Sequence, residues 1–224
     1  MKIGFDLFSN PLFIIKKLQA DSIVSYAQFL KGNVLDIGCA SRPYKKYIKA
    51  QNYIGIDEST LVKPDICSSA VVLPFKDNSF DSVISTELLE HLAQPELCLH
   101  EIRRVLKEGG YVYITAPQTW CLHYEPTDYW RFTKYGLEYL LQKCNFKIIV
   151  VKRIGGIFSL IGVRMLDVGW TLLVKIFSFL GRQWAERLAT ALGLGFSLLF
   201  YFLGRIADNI DKRDALGWAV LAQK

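Results

Sequence analysis

The chain has 224 residues, 51% of them hydrophobic, and a formal net charge of +6. That length suits one α/β domain with an appendage, and the apolar content is ample for a core. The five cysteines are scattered without a Cys-x-x-Cys pair, which excludes a disulfide framework and a cysteine zinc site and fits a reducing compartment.

The N-terminal segment predicts a helix and is a poor match to a signal peptide. Asp6 and Asn10–Pro11 interrupt its apolar stretch, and it contains no small-residue cleavage site. Residues 11–30 predict an amphipathic entry helix. We therefore assign residues 1–30 to an N-terminal helical segment.

Residues Asn33–Asp57 predict a strand, a tight turn, a helix that starts at Pro43, and a second strand. The first strand is a short apolar run typical of a buried parallel strand. Gly38 follows it, and Asp57 closes the second strand about 20 residues after the glycine turn, where an acid hydrogen-bonds ribose hydroxyls. A dinucleotide fingerprint needs three glycines, but only Gly38 is present. The pattern therefore favours a nucleoside without phosphates, such as S-adenosylmethionine, over NAD.

Strands and helices continue to alternate after this unit. The predicted elements are strand Asp81–Ser85, helix Pro95–Lys107, strand Tyr111–Thr115, helix Thr133–Cys144, strand Phe146–Val151 and strand Leu216–Ala222. Pro95 is typical of a helix start, Gly109–Gly110 of a helix stop, and Thr133 of a helix cap. This alternation predicts a parallel, doubly wound α/β sheet.

A long apolar segment, residues 155–207, separates the last two predicted strands. It includes an uncharged run of 17 residues, 188–204, at the lower limit for crossing a bilayer. Residues 152–214 carry nine Lys/Arg against five Asp/Glu, and a basic apolar segment favours an anionic membrane surface over nucleic acid. If both flanking strands belong to one sheet, the chain must return to the side it left, and a single crossing is impossible. A monotopic hairpin or two re-entrant helices remain, and a lid or dimer interface is the rival interpretation.

Polar residues close three of the predicted strands: Asp36, Asp57, and Thr86 with Glu87. Ligands of open α/β sheets bind beyond the carboxyl ends of strands, so these groups converge on one pocket. The segments VLDIGCASRPY, GIDES, LPFKDNSFDSVISTELLEHL and EIRRVLKEGGYVYITAP resemble the ordered motifs of class I S-adenosylmethionine-dependent methyltransferases. They are most similar to the methyltransferase type 11 group, which includes ubiquinone and menaquinone pathway enzymes.

The resemblance implies a Rossmann-like seven-stranded sheet, with six parallel strands and an antiparallel last strand. It covers residues 31–153 and 215–224, leaving 154–214 as an apolar helical insertion. The resemblance also implies which residues bind the cofactor. Asp36, Gly38 and Ala40 would surround the methionine moiety, Asp57 would bind the ribose hydroxyls, and Thr86 and Glu87 would face the cofactor. Two departures matter. Ala40 and Arg42 stand where glycine is frequent, and Ser69 replaces the usual acid at the adenine.

The pattern Glu87-x-x-Glu90–His91 has three interpretations. We expect no metal, with His91 as a general base, an acceptor contact or a structural hydrogen-bonding residue. The rival is a divalent ion held by Glu87, Glu90, His91 and His123, because the pattern also resembles the metal-binding sequence of small-RNA 2′-O-methyltransferases and some quinone O-methyltransferases. Such an ion lowers the pKa of an acceptor hydroxyl.

Residues 118–132 form a long loop with histidine, charged and aromatic residues, which is more than a simple connection between two elements needs. It carries His123, a second candidate base, and predicted acceptor-pocket residues Tyr124, Asp128, Tyr129 and Arg131. Pairing of Asp128 with Arg131 merely to fix the loop is an equal alternative. The loop's sequence is similar to methyltransferases associated with bacterial surface glycans.

We therefore predict an enzyme that uses S-adenosylmethionine to O-methylate a small, lipid-linked or saccharide acceptor. We expect the protein in the cytoplasm, where residues 155–207 bind it to the inner face of the cytoplasmic membrane as a peripheral or monotopic protein. No nucleic-acid partner is expected, and a homodimer stays open. The alternatives are a membrane-associated scaffold on a decayed methyltransferase fold and a metal-dependent RNA 2′-O-methyltransferase.

Overall fold

The computed structural model describes residues 12–224. Within them, five α-helices run over Leu12–Tyr26 (α1), Pro95–Val105 (α2), Lys134–Lys143 (α3), Ile157–Ile176 (α4) and Arg182–Ala207 (α5). The strands in this range are Gly32–Ile37 (β1), Ala50–Asp57 (β2), Ile66–Cys67 (β3), Phe80–Thr86 (β4), Leu106–Pro117 (β5), Lys147–Ile154 (β6) and Gly217–Gln223 (β7).

All seven of these strands join one sheet, in the order β3-β2-β1-β4-β5-β7-β6. β1 pairs in parallel with β2 on one side and β4 on the other, and β7 pairs antiparallel with β5. The predicted Rossmann-like sheet, with six parallel strands and an antiparallel last strand, is confirmed. The strand order reverses between β1 and β4, which is where ligands of such sheets bind.

The central strands β1, β4, β5 and β7 are buried on both faces over most of their length, as is typical of a parallel sheet. Val34, Leu35 and Ile37 of β1 are completely buried. Tyr113 of β5 is also fully buried, and its hydroxyl donates a hydrogen bond of 2.8 Å to Oγ of Ser22 on α1. Such a bond removes the cost of enclosing a phenol hydroxyl, so α1 docks on the sheet in a defined position.

The chain divides into two compact units. One is the sheet unit, Ala20–Arg153 with Gly217–Lys224, and the other contains Ile154–Leu216. In the second unit α4 and α5 pack on each other as a hairpin through small residues: a Cβ on Gly162 would lie 2.4 Å from the Phe200 side chain. Close approach of helices over small residues is common in membranes, although soluble proteins use it too.

Asp208, just beyond α5, closes the base of this hairpin. It is 7% exposed, and its carboxylate accepts hydrogen bonds from the backbone N–H groups of Gly156, Phe158 and Ser159 at 2.7, 2.9 and 3.1 Å. The Ser159 hydroxyl donates a fourth bond of 2.6 Å. The first N–H groups of a helix have no partner within it, so Asp208 caps α4 from 49 residues away.

Most predicted elements are confirmed, with shifted ends. The entry helix is α1 followed by a 3-10 turn at Ala27–Phe29, while residues 1–11 of that prediction lie outside the described residues. Thr133 caps α3 as predicted, accepting a hydrogen bond of 3.1 Å from the N–H of Gly136. The insertion between β6 and β7 is helical, as expected.

The predicted helix after Pro43 is wrong. Only a 3-10 turn, Lys45–Tyr47, connects β1 to β2. Gly38, Ala40 and Arg42 adopt left-handed backbone, with φ of 68°, 42° and 54°, and β2 already begins at Ala50, so few residues lie between Pro43 and β2 for an α-helix.

The helix predicted to reach Lys107 ends at Val105. Leu106 is already extended, with ψ of 138°, and pairs with Phe80 as the first residue of β5. The glycines at 109 and 110 therefore lie in an irregular part of β5 and do not end α2.

Candidate functional site

Two carboxylates stand where β1 and β2 end at the strand reversal. Asp36 is 5% exposed and accepts a hydrogen bond from the Tyr53 hydroxyl. Burial raises the pKa of Asp36 to about 6, an effect that Tyr53 and Arg42 partly oppose and Asp57 reinforces. The register pairs Asp36 with Gly55 and Ile37 with Ile56, so Asp36 and Asp57 lie at the same ends of neighbouring strands.

The turn after β1 holds the Asp57 carboxylate in place. The backbone N–H of Ala40 donates to Oδ2 at 3.0 Å, and that of Ser59 donates to Oδ1 at 2.9 Å. Gly38 has φ of 68°, and a Cβ there would lie 3.0 Å from Leu88. The turn therefore needs glycine at this position both for its backbone conformation and for space.

Arg42 does not line this turn; it fastens the turn to β2 and the segment that follows. Its guanidinium donates to the Lys63 carbonyl at 3.1 Å and pairs with Asp65 at 3.0 Å. Asp65 in turn accepts a hydrogen bond of 2.8 Å from the N–H of Gly55. A Cβ on Gly55 would come within 2.8 Å of the Arg42 side chain, so Gly55 makes room for it.

Ser69, Thr86 and Glu87 lie on neighbouring parts of the same edge. Ser68 donates its N–H to the Asp57 carbonyl, so Ser69 follows directly beside β2, and its Oγ accepts a bond of 3.4 Å from the N–H of Val71. Thr86 ends β4, and Glu87 begins the next turn with φ of 50°. The charges of Glu87 and Asp36 both add to burial in raising the pKa of Tyr44, which places the two carboxylates near one phenol.

A second cluster starts at the 3-10 turn Leu89–His91, directly after Glu87. The Glu90 carbonyl accepts hydrogen bonds from the N–H groups of Tyr129 and Trp130 at 2.8 and 3.2 Å. The Trp130 indole N–H donates to the Leu92 carbonyl at 2.9 Å. The loop of residues 118–132 is thereby bound to the turn that carries His91.

Asp128 and Arg131 fix that loop internally. The guanidinium donates to both carboxylate oxygens at 2.7 Å, a two-pronged pair that fixes orientation as well as distance. Asp128 has only 2% of its side chain exposed, and it also accepts the N–H of His123 at 2.9 Å. Hydrogen bonding from Arg131 holds the pKa of Asp128 far below its usual range. Both residues stabilise the loop, and contact with an acceptor stays a prediction.

His91 and His123 come together, with ring centroids 4.7 Å apart. Nδ1 of His91 lies 2.7 Å from the Thr127 carbonyl, and Nδ1 of His123 lies 3.2 Å from the Cys121 carbonyl and 3.3 Å from Asp128. These oxygens can only accept hydrogen bonds, so each Nδ1 carries the proton. When such a ring is neutral, its lone pair is on Nε2. Burial lowers the pKa of His91, which favours this neutral form.

Glu90 is the one fully enclosed acid of this cluster. Its side chain is 0% exposed, and neither carboxylate oxygen has a hydrogen-bond partner among the described residues. Oε1 lies 3.9 Å from Nε2 of His91, too far for a hydrogen bond. Burial first and the charge of Glu87 second raise the pKa of Glu90 well above its usual value.

The predicted acceptor-pocket tyrosines lie at the surface of the loop. Tyr124 is 79% and Tyr129 50% exposed. The Tyr124 ring is within 5.3 and 5.6 Å of the His91 and His123 rings, so it borders the histidine pair. Its place in an acceptor pocket stays a prediction.

Sequence reasoning did not identify Tyr53, the partner of Asp36. In the register of β1 with β2, Tyr53 stands opposite Val34 and Gly55 stands opposite Asp36. From that position the Tyr53 hydroxyl reaches the Asp36 carboxylate diagonally across the two strands. The sequence alone gives only a weak signal of this contact, because the contact depends on how β1 and β2 pair.

The central part of the chain, residues 35–114, matches the family described as "Methyltransferase domain". An uncharacterized methyltransferase of Schizosaccharomyces pombe is 36% identical over 104 residues, 35% of this chain and 37% of that protein. The ubiquinone biosynthesis O-methyltransferase of Dechloromonas aromatica is 27% identical over 150 residues, 59% of this chain and 62% of that protein. The chain spans between 16% and 40% of the length of the first curated relatives it matches.

Among solved structures, a SAM-dependent methyltransferase from Archaeoglobus fulgidus has a TM-score of 0.59 at 16% identity, covering 93% of this chain and 94% of that one. At this identity the likeness concerns the fold. It extends over almost the whole of both chains.

The residues at the strand reversal fit S-adenosylmethionine, the cofactor of this methyltransferase class. Asp36, Asp57 and Glu87 make the edge acidic, which suits a cationic sulfonium and repels a pyrophosphate. Each Asp57 oxygen accepts one backbone hydrogen bond, and a carboxylate oxygen has two lone pairs, so both oxygens can still accept from ribose hydroxyls.

Proposed function

We propose, on the premise that this chain is a class I S-adenosylmethionine-dependent methyltransferase, that it O-methylates a small, lipid-linked or saccharide acceptor at a membrane surface. One observation carries the O-methylation: two imidazoles, each with Nδ1 bound to a protein oxygen, present Nε2 lone pairs beside the turn that follows the cofactor edge. A hydroxyl acceptor must lose its proton, and a fixed neutral imidazole is suited to take it.

The division of labour follows from the two clusters. Bound S-adenosylmethionine supplies a methyl group that is already electrophilic. Asp57 and the Gly38 turn hold the nucleoside end, and Glu87 continues directly into the turn bearing His91. The protein then needs only to align the acceptor, exclude water and accept one proton at Nε2 of His91 or His123.

The membrane part of the proposal is supported by the α4–α5 hairpin. Ile157–Leu180 and Arg182–Ala207 are long and apolar enough to cross a membrane, and only 22% and 29% of their most apolar windows are buried. Large apolar side chains stay exposed on both helices, including Phe179 at 77% and Trp184 at 59%. Exposed apolar area of this extent marks an interaction surface.

Charge favours lipid as the partner of this hairpin surface. Residues 152–214 have four more Lys/Arg than Asp/Glu, nine against five. Basic residues beside an apolar helix face are typical of helices that lie in an anionic interface. This gives the enzyme a route to amphiphilic acceptors from the cytoplasmic side.

Activity is tested by methyl transfer from labelled S-adenosylmethionine to lipid and glycan extracts of cells that lack the gene. Extracts from such cells should accept label from the intact protein and gain the mass of one methyl group. Asp57→Ala should abolish labelling, whereas Glu58→Ala, a matched exposed acid beside it, should not. Absence of labelling in every extract, with cofactor binding intact, would instead support a binding or scaffold protein on a decayed fold.

Membrane association is tested by flotation with liposomes that contain anionic lipid. The paired substitutions Phe179→Glu and Trp184→Glu should reduce flotation strongly, because each places a charge in the apolar interface. The matched control pair is Tyr135→Glu and Tyr139→Glu, which alters equally exposed aromatics on α3 at 74% and 66%. Equal flotation of the two pairs would contradict the proposal.

A further inference from the structure

The side chains of Glu90, His91 and His123 each offer a ligand atom, and these three atoms all lie within 4.8 Å of one another. The same cluster contains a completely enclosed carboxylate with no hydrogen-bond partner among the described residues. Burying an unpaired acid is costly, and such acids are ordinarily paired or bound to metal. The structure thus shows a set of metal-ligating groups and an unpartnered carboxyl group at the same point.

We propose that Glu90, His91 and His123 bind a divalent transition-metal ion of the zinc type. Glu87, which stood in the rival four-residue set, does not belong to the cluster. Two imidazoles and one carboxylate favour Zn²⁺ or a similar ion over Mg²⁺ and Ca²⁺, which prefer oxygen ligands. Three protein ligands leave open positions, as in catalytic rather than structural zinc sites.

The distances are compatible with a shared ion. Metal–ligand bonds of about 2.0–2.2 Å place two ligand atoms at most about 4.4 Å apart. Oε1 of Glu90 and Nε2 of His91 are separated by 3.9 Å, within this limit and beyond a direct hydrogen bond. The three ligand atoms lie within 4.8 Å of one another, so they would have to move slightly closer together when an ion binds.

The orientation of both rings supports the same assignment. Metal-binding histidines donate their other N–H to a carbonyl or carboxylate, which fixes the tautomer. His91 meets this condition through the Thr127 carbonyl, and His123 through the Cys121 carbonyl and the Asp128 carboxylate. Arg131 holds Asp128 with two bonds of 2.7 Å, so the support of His123 is itself fixed.

Metal binding by these side chains does not depend on the proposed methyl transfer. Its consequence for the enzyme rests on the proposed function: an ion at this point would bind the acceptor hydroxyl and lower its pKa. Because both imidazoles would then be metal ligands, the hydroxyl proton would pass to water and not to Nε2 of His91 or His123. The two ideas are therefore separable by experiment.

The test is calorimetric titration of the metal-free, full-length protein in detergent with Zn²⁺ alone. We expect one ion per chain, with affinity reduced by about tenfold or more in Glu90→Gln, His91→Ala and His123→Ala, since losing even an outer-shell partner costs about 10–100-fold. Two control variants should leave the affinity unchanged. His100→Ala changes the one histidine of the chain outside the proposed site, and Cys121→Ser removes the exposed thiol beside His123.

Binding of S-adenosylmethionine by each variant, measured without Zn²⁺, verifies that the sheet unit is folded. Zn²⁺ should also raise the melting temperature of the intact protein but not of Glu90→Gln, because only a ligand of the folded state stabilises it. Absence of Zn²⁺ binding, or binding unchanged by Glu90→Gln and His123→Ala, would overturn the metal site while leaving the methyltransferase proposal standing. Bound Zn²⁺ without methyl transfer would do the reverse.

Discussion

The carboxylate of Asp57, at the end of β2, accepts a hydrogen bond of 3.0 Å from the backbone N–H of Ala40, in the connection between β1 and β2. The acid that is expected to bind the ribose thus also shapes the turn expected to hold the methionine moiety. Cofactor recognition and turn geometry depend on the same side chain.

Replacing Asp57 with Ala should therefore weaken S-adenosylmethionine binding by about 10–100-fold, because hydrogen bonds to a charged group contribute about 1.5–3 kcal/mol. Calorimetry measures the affinity directly. Glu58→Ala changes the next residue, which is an exposed acid. Its affinity for S-adenosylmethionine should stay within about twofold of that of the intact protein, because surface substitutions usually have small effects. Equal losses in the two variants would show that Asp57 has no specific role.

The buried Asp36 predicts a pH-dependent stability. Its pKa is raised from 3.8 to about 6 by burial, so the folded state binds the proton more tightly than the unfolded state. The favourable contribution of this group is complete below the unfolded pKa and is lost as the pH rises through about 6. Asp36→Asn does not titrate, and its free energy of unfolding relative to the intact protein should rise by about 2–3 kcal/mol between pH 4 and pH 7.5.

Urea unfolding of both proteins across this range measures the difference. Tyr53→Phe provides an internal check, because removing the hydroxyl that lowers the pKa of Asp36 should move the transition to higher pH. A stability difference independent of pH would mean that Asp36 titrates normally in the folded protein.

The cap formed by Asp208 predicts a local instability when it is removed. Asp208→Ala leaves several buried donors at the start of α4 without their acceptor, at an expected cost of about 2–4 kcal/mol. Hydrogen exchange in detergent should show faster exchange at the amides of residues 156–159. Asp211→Ala, which breaks an exposed pair with Arg213, should change exchange by little. The same acceleration in both variants would rule out a specific cap.

Arg131→Lys should loosen the loop of residues 118–132 without affecting the cofactor edge. Lysine cannot make the two parallel hydrogen bonds that Arg131 makes to Asp128, so the Tyr129 and Trp130 amides should exchange about tenfold faster. S-adenosylmethionine affinity should stay the same. Arg103→Lys, at an exposed arginine bound to one carbonyl, is the matched control. Unchanged loop exchange would show that the pair does not hold the loop.

Sequence reasoning predicted the parts of the fold that depend on neighbouring residues. The buried run of β1, the proline start of α2 and the threonine cap of α3 each depend on a few consecutive positions, and each is found. The helix predicted after Pro43 was wrong because a proline helix start is a local signal, whereas the start of β2 at Ala50, which leaves little room for a helix, depends on how the strands pair.

Within the candidate site, proximity was harder to predict than residue type. His91 and His123 were both identified as chemically important, but their meeting depends on how residues 118–132 lie over the turn at Leu89–His91. Partners far apart in sequence, such as Asp208 and Ser159 or Tyr113 and Ser22, were missed. These contacts arise from tertiary packing, which local periodicity does not encode.

The apolar insertion begins and ends at one point: the N–H of Leu216 donates to the carbonyl of Ile154 at 3.1 Å. A segment whose two ends already meet imposes no spacing on the strands that it connects. Such a segment can lengthen, shorten or be exchanged in evolution while the catalytic sheet is inherited unchanged. Relatives of this protein should then differ most between β6 and β7, and the range of acceptors should diverge there before the cofactor does.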